Sequence, residues 1–168
     1  CKVLKYEPSK RVSRVRELIF RKLDALRNGD PKLIDLSRGL PQGLPPREVI
    51  SELTLRLKYS ENHIYTVEKG LRKFREEVAY FYKDRYDVEL DPDTEVQIIM
   101  GGKDGLAALA QAYLNPGDHA IVPDPSFPAY VNCVLLAEAE PIMLKLNKET
   151  SYVPTDEDLN SCLRPNTK

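Results

Sequence analysis

The sequence predicts an α/β fold with a mostly parallel sheet, preceded by an N-terminal helix and arm. Three observations carry that expectation. From residue 96 onward, strand-like apolar runs alternate with helical ones. Each change of period is marked by Gly, Pro, Asn or Asp, the residues that turn a chain. A glycine-rich pentapeptide, Gly101-Gly102-Lys103-Asp104-Gly105, sits where the first of these strand-like runs gives way to a helical one. A βαβαβ order implies parallel strands joined by crossover helices.

Residues 10–27 carry Val12, Val15, Ile19, Leu23 and Leu26 at three- and four-residue steps, which places them on one face of a helix. The other face holds Arg11, Arg14, Arg16, Arg21 and Lys22 and reads as a solvated surface. Asn28-Gly29-Asp30-Pro31 is a helix stop. A short strand is expected at 33–36. The loop from Ser37 to Pro46 is dense in Gly and Pro, stiff where proline fixes φ and open where glycine leaves room. Helices are expected at 47–57 and, after Ile64-Tyr65, at about 66–86, with Leu71, Phe74, Val78 and Phe81 facing inward.

The second half predicts a strand at 96–100, a helix at 104–114, a turn at Asn115-Pro116-Gly117-Asp118, and a strand at 119–123. A helix at about 127–139 and a strand at 141–146 follow. Thr155-Asp156-Glu157-Asp158 has the form of a capping box that opens a last helix.

With 42% hydrophobic and 30% charged residues in 168, the chain has the composition of a globular protein. A net charge of −1 supplies no field that draws it to nucleic acid or an anionic membrane. No apolar run reaches membrane-spanning length, and Cys1-Lys2-Val3-Leu4-Lys5 lacks a signal-peptide core, so a cytoplasmic location is expected. Cys1, Cys133 and Cys162 form no C-x-x-C pair, and His63 and His119 are the only histidines, so no metal site is expected. Cys133 reads as a small buried hydrophobe and His119 as the first residue of a strand.

Glycines at Gly101-Gly102 allow a sharp turn and close approach of a ligand, and the first amides of the following helix have no internal partners. The pentapeptide therefore suits an anion such as phosphate, and it suits a plain strand-to-helix turn equally. It matches neither the P-loop nor the dinucleotide fingerprint. The loop Pro123-Asp124-Pro125-Ser126-Phe127-Pro128 follows the next strand and should face the same crevice, because ligands in such sheets bind outside the strands' carboxyl ends. Phe127 then reads either as an aromatic plate beside the cradle or as a core residue at the head of its helix.

Four segments, in this order and spacing, resemble the N-terminal portion of the class I/II aminotransferases, pyridoxal-phosphate enzymes of fold type I. They are Gly39-x-Pro41-Gln42 through Pro46; Tyr65-x4-Gly70 with Phe74-Arg75-Glu76; the strand with Gly101 to Gly105; and Asn115 to Asp118 running into Asp124 to Tyr130. Glu61-Asn62-His63-x-Tyr65 and Gly-Lys-Asp-Gly are most similar to the diaminopimelate aminotransferase-like branch.

The resemblance implies the N-terminal part of a three-layer αβα large domain (residues 47–168), preceded by a helix, arm and small-domain segment (1–46). It implies pyridoxal 5′-phosphate as cofactor, with the amides of Gly102 and Lys103 on its phosphate and Phe127 stacked on its ring. By the same resemblance Tyr65 reaches the neighbouring subunit's phosphate in a homodimer, and Gly39 lies beside the substrate. The implied substrates are an L-amino acid and a 2-oxo acid, with no nucleic acid or membrane partner. Gly102 stands where the family usually has Ser or Ala, and Gln42 where Asp is common.

The family's Schiff-base lysine, the aspartate on the pyridinium nitrogen and the carboxylate-binding arginine come after the matched segments, so no catalytic residue is assigned in these 168. Lys103 serves the phosphate end and is not that lysine. The expectation is an enzyme whose N-terminal part alone is inactive and self-associates through uncovered apolar surface. The alternatives are a non-catalytic cofactor-site or dimerisation module and a lyase of the same fold.

Overall fold

The computed structural model describes residues 7–17, 19–27, 32–37, 39 and 41–168. In chain order the elements are α1 (Lys10–Arg14), α2 (Ile19–Arg27), α3 (Arg47–Arg56), a 3-10 turn (Ser60–His63), α4 (Arg72–Tyr86) and α5 (Gly102–Tyr113). Then come β1 (His119–Asp124), α6 (Ala129–Leu136), β2 (Glu140–Lys145) and α7 (Asp156–Cys162). They form two compact units, one of residues up to 37 together with 100–168, the other of residues 38–99. Cys1 to Lys5 and the helix stop Asn28 to Pro31 lie outside the described residues.

The first unit is built on a parallel pair. β1 and β2 run side by side with His119 opposite Glu140 and Asp124 opposite Lys145, and α6 is the crossover between them. Val122, Val131, Val134, Leu135 and Ala139 form the buried cluster that joins sheet to helix, with Leu114, Ala120 and Met143 packed against it. His119 does begin a strand. Its backbone also pairs on the other edge, with Asn166 O at 2.9 Å and Lys168 N at 3.1 Å, so Thr167 bridges it in parallel.

Both turns that frame β1 and β2 close locally. Asn115 donates its N–H to the Asp118 carboxylate at 2.8 Å, and that bond holds the Asp118 carboxyl below its ordinary range. At the end of α6, Glu138 N–H bonds Leu135 O and Ala139 N–H bonds Val134 O, with Glu138 in the left-handed region at φ 63°. That is a Schellman termination, usually made with glycine. At α7 the capping box is formed as expected: Thr155 Oγ1 accepts from Asp158 N–H at 3.1 Å, and the Asp158 carboxylate accepts from Thr155 N–H at 3.0 Å.

Several expectations are corrected. The helix over 10–27 is two helices, because Asn132 of α6 binds the backbone of Arg16 on both sides. Its Oδ1 accepts the Arg16 N–H at 2.9 Å and its Nδ2 donates to the Arg16 carbonyl at 3.0 Å. Val12 (48% exposed), Ile19 (54%) and Leu26 (76%) are not buried by it. The basic face is exposed, and part of it is also ion-paired: Arg14 meets Glu140 at 2.6 Å and Arg11 meets Glu138 at 3.7 Å. Residues 33–36 form no strand; the Asp35 carboxylate takes the Ser37 N–H at 2.9 Å and bends the chain there.

In the second unit, α4 starts at Arg72 rather than 66, because Gly70 turns the chain at φ 83° with its N–H on Val67 O. Arg75 is the buried hub of this unit. It bonds Pro92 O, the Asp93 carboxylate at 3.0 Å and Gly70 O at 3.4 Å. Its neighbours in the predicted inward stripe, Leu71, Phe74 and Phe81, are exposed, since an apolar face is buried only where something covers it. Residues 96–99 are not a strand: the Ile98 N–H goes to Lys69 O and Gln97 to Glu68 O, a loop-to-loop pairing with no ladder. Asn62 Nδ2 donates to Arg56 O at 2.8 Å and His63 Nε2 lies 2.8 Å from Leu57 O, so both side chains close the end of α3.

Candidate functional site

The first turn of α5 is the candidate anion cradle. Gly101 caps it at φ 88°, a conformation that a side chain would strain. The Asp104 and Gly105 amides fold back onto Gly101 O at 3.1 and 3.3 Å, which leaves the amides of Gly102 and Lys103 without a protein acceptor among the described residues. A Cβ placed on Gly101 or Gly102 would meet nothing within 4 Å, so the space in front of these donors is open. The Asp104 carboxylate is turned back to accept the Met100 N–H at 3.1 Å. There it offsets part of the positive helix end, which makes the neighbouring Lys103 charge the local cation available to an anion.

Phe127 lies in the loop after β1, half-buried, with Tyr130 edge-on at 5.8 Å and 79°. Its carbonyl accepts the Tyr130 N–H at 3.1 Å, and Pro128 then caps α6. The Lys103 ammonium sits 5.2 Å from the Phe127 ring centroid. The structure therefore brings Gly102, Lys103 and Phe127 together, from the ends of two different elements. Two free amides, an aromatic face and a cation match a planar ring that carries a phosphate.

Tyr65 and Gly39 belong to the 38–99 unit. The Tyr65 ring is fully exposed, and a Cβ on Gly39 would meet nothing within 4 Å. An apolar groove of about 580 Å³ lies elsewhere, between α5, β1 and α6, lined by Leu109, Tyr113, Ile121, Tyr130 and Cys133 among others. Burial there pushes the Cys133 thiol up, in keeping with an inert apolar role. Among the described residues no His, Cys, Asp or Glu cluster suits a metal, and no helix is long and apolar enough to cross a membrane. Neither the Lys103–Phe127 contact nor the Asp104 fold-back was read from the sequence. The second had a signal, an acidic residue in the first helical turn.

A family model described as aminotransferase class I and II matches residues 31–168. The chain belongs to the class I and II aminotransferase family. It is 37% identical over 136 residues to L-glutamine–4-(methylsulfanyl)-2-oxobutanoate aminotransferase of Bacillus subtilis, covering 81% of this chain and 34% of that protein. It is 38% identical to the LL-diaminopimelate aminotransferase of Halothermothrix orenii, covering 76% of this chain and 34% of that protein. The solved structure of substrate-bound BacF from Bacillus subtilis superposes with a TM-score of 0.84 at 31% identity, covering 92% of this chain and 40% of that one. The fold is therefore the fold type I arrangement of these aminotransferases. The chain spans about a third of the length of the curated relatives it matches.

Proposed function

We propose that this chain forms the phosphate and ring end of a pyridoxal 5′-phosphate site in an aminotransferase that passes an amino group from an L-amino acid to a 2-oxo acid. The juxtaposition of the free Gly102 and Lys103 amides with the Phe127 ring carries this reading. When bound, the cofactor supplies the electron sink for the reaction. The chain's own residues bind and orient. Gly102 and Lys103 donate to the phosphate, Phe127 keeps the ring flat, and Gly39 borders the substrate. Tyr65, with its ring free of the rest of its unit, is the residue that reaches a second subunit in a homodimer.

Turnover is proposed for a polypeptide of the relatives' length, of which this chain spans about a third. A cytoplasmic location goes with this reading. Titration with pyridoxine 5′-phosphate tests it, because that probe lacks the aldehyde that would decorate surface lysines. Saturable binding, weakened about two- to tenfold in Phe127→Ala, is expected from the loss of one stacked pair. No saturable binding, or equal affinity in Phe127→Ala, would sink it.

A further inference from the structure

Lys103 carries two functions on one residue. Its backbone amide is one of the two free donors at the start of α5, and its ammonium lies over the face of Phe127, 5.2 Å from the ring centroid. Nζ has no hydrogen bond or ion pair among the described residues, so the aromatic ring is its partner there. A cation over a ring face is held by the ring's quadrupole, and a planar ligand that stacks on that face has to displace it. The two cannot share it.

We infer that Lys103 is a specificity device that couples the two halves of the ligand: its ammonium caps Phe127 until an anion at the α5 amides draws it away and frees the ring face. The inference rests on the cofactor-site reading above. A neutral ring alone must displace the cation. A ring that brings its own phosphate gives the ammonium a better partner at the same residue's amide, since charge-assisted contacts to phosphate outweigh an exposed cation–π contact. Lys103 thereby penalises unphosphorylated rings and admits phosphorylated ones. This is a role for the side chain, separate from that of its amide.

Thermodynamic linkage makes the coupling measurable in separate pieces. Pyridoxine, neutral and unphosphorylated, is titrated by its own fluorescence with and without saturating inorganic phosphate. In the unmodified chain phosphate should tighten pyridoxine binding about two- to fivefold, the worth of an exposed cation–π contact. In Lys103→Met the coupling should vanish, and pyridoxine alone should bind more tightly than to the unmodified chain. An independent readout is the Lys103 ε-CH2 resonance, assigned by its loss in Lys103→Met. It should be shifted upfield by the ring in ligand-free protein, should lose that shift on adding phosphate, and should be unshifted in Phe127→Leu. If pyridoxine 5′-phosphate binds saturably yet phosphate leaves pyridoxine affinity unchanged or lowers it, or the coupling survives in Lys103→Met, this inference is overturned and the cofactor site stands. If pyridoxine 5′-phosphate does not bind, the cofactor site falls and this inference with it.

Discussion

The side chain of Asn132 holds the backbone of Arg16 as a second strand would, accepting its N–H at 2.9 Å and donating to its carbonyl at 3.0 Å. Asn132 is 9% exposed, so these bonds are shielded on the α6 side. Asn132→Ala removes both and leaves the Arg16 groups part-buried and unmet, which should cost about 2 kcal/mol in urea unfolding. Asn132→Asp keeps the acceptor but sets a carboxylate against the Arg16 carbonyl and should fall between. Protection of the Arg16 amide from hydrogen exchange should drop in both variants. Unchanged protection would show that the pairing does not hold in solution.

Gly70 lies close against the Ile98 side chain. A Cβ on Gly70 would sit 2.5 Å from Ile98 Cγ1, and Gly70 is at φ 83°. Gly70→Ala should therefore destabilise by about 3 kcal/mol, part from overpacking and part from the left-handed backbone. Adding Ile98→Ala should recover the packing part only. A double variant no more stable than Gly70→Ala would refute the steric account.

Glu138 adopts φ 63° where the Schellman turn prefers glycine. Glu138→Gly should raise stability by about 1 kcal/mol, because the strain relieved exceeds the exposed 3.7 Å pair with Arg11 that is lost. Glu138→Ala loses the pair and keeps the strain, so it should be near neutral or slightly destabilising. Thermal melts of the three proteins decide the order.

The capping box of α7 sets a pH dependence. Hydrogen bonds from the Thr155 amide first, then its hydroxyl, hold the Asp158 carboxyl below its ordinary value. The folded value is the lower one, so the stabilisation is complete above the unfolded carboxylate value and is lost as pH falls through the folded one. The stability gap between the unmodified chain and Asp158→Asn should be widest near neutrality and close in acid. Thr155→Ala should cost about 1 kcal/mol at pH 7. A gap that does not narrow toward pH 3 would contradict the assignment.

What was legible in the sequence is what is settled within one segment. The β1–α6–β2 order follows from alternation and from the self-closing turn at Asn115 to Asp118, and the Thr155 box needs only four residues. What was not legible depends on distant partners. The break after α1 is made by Asn132, 116 residues away. The 96–99 run has strand composition, but a strand exists only beside another, and here the Ile98 amide and the Gln97 side chain go to the turn before α4. At the site, the free amides and the ring were readable one at a time. Their meeting through the Lys103 side chain was not, because it depends on where two separate loops end.

The first unit is written in two stretches of sequence with 38–99 between them, and this has a consequence for how the chain is made. At about 5–20 residues per second of synthesis, the 116 residues from Arg16 to Asn132 take roughly 6 to 23 seconds to emerge. Throughout that interval the cationic Arg11 and Arg14 lack the Glu138 and Glu140 carboxylates that they pair with. The Arg16 segment thus waits that long for its seat, and whatever meets nascent chains in the cell has that long to act on it.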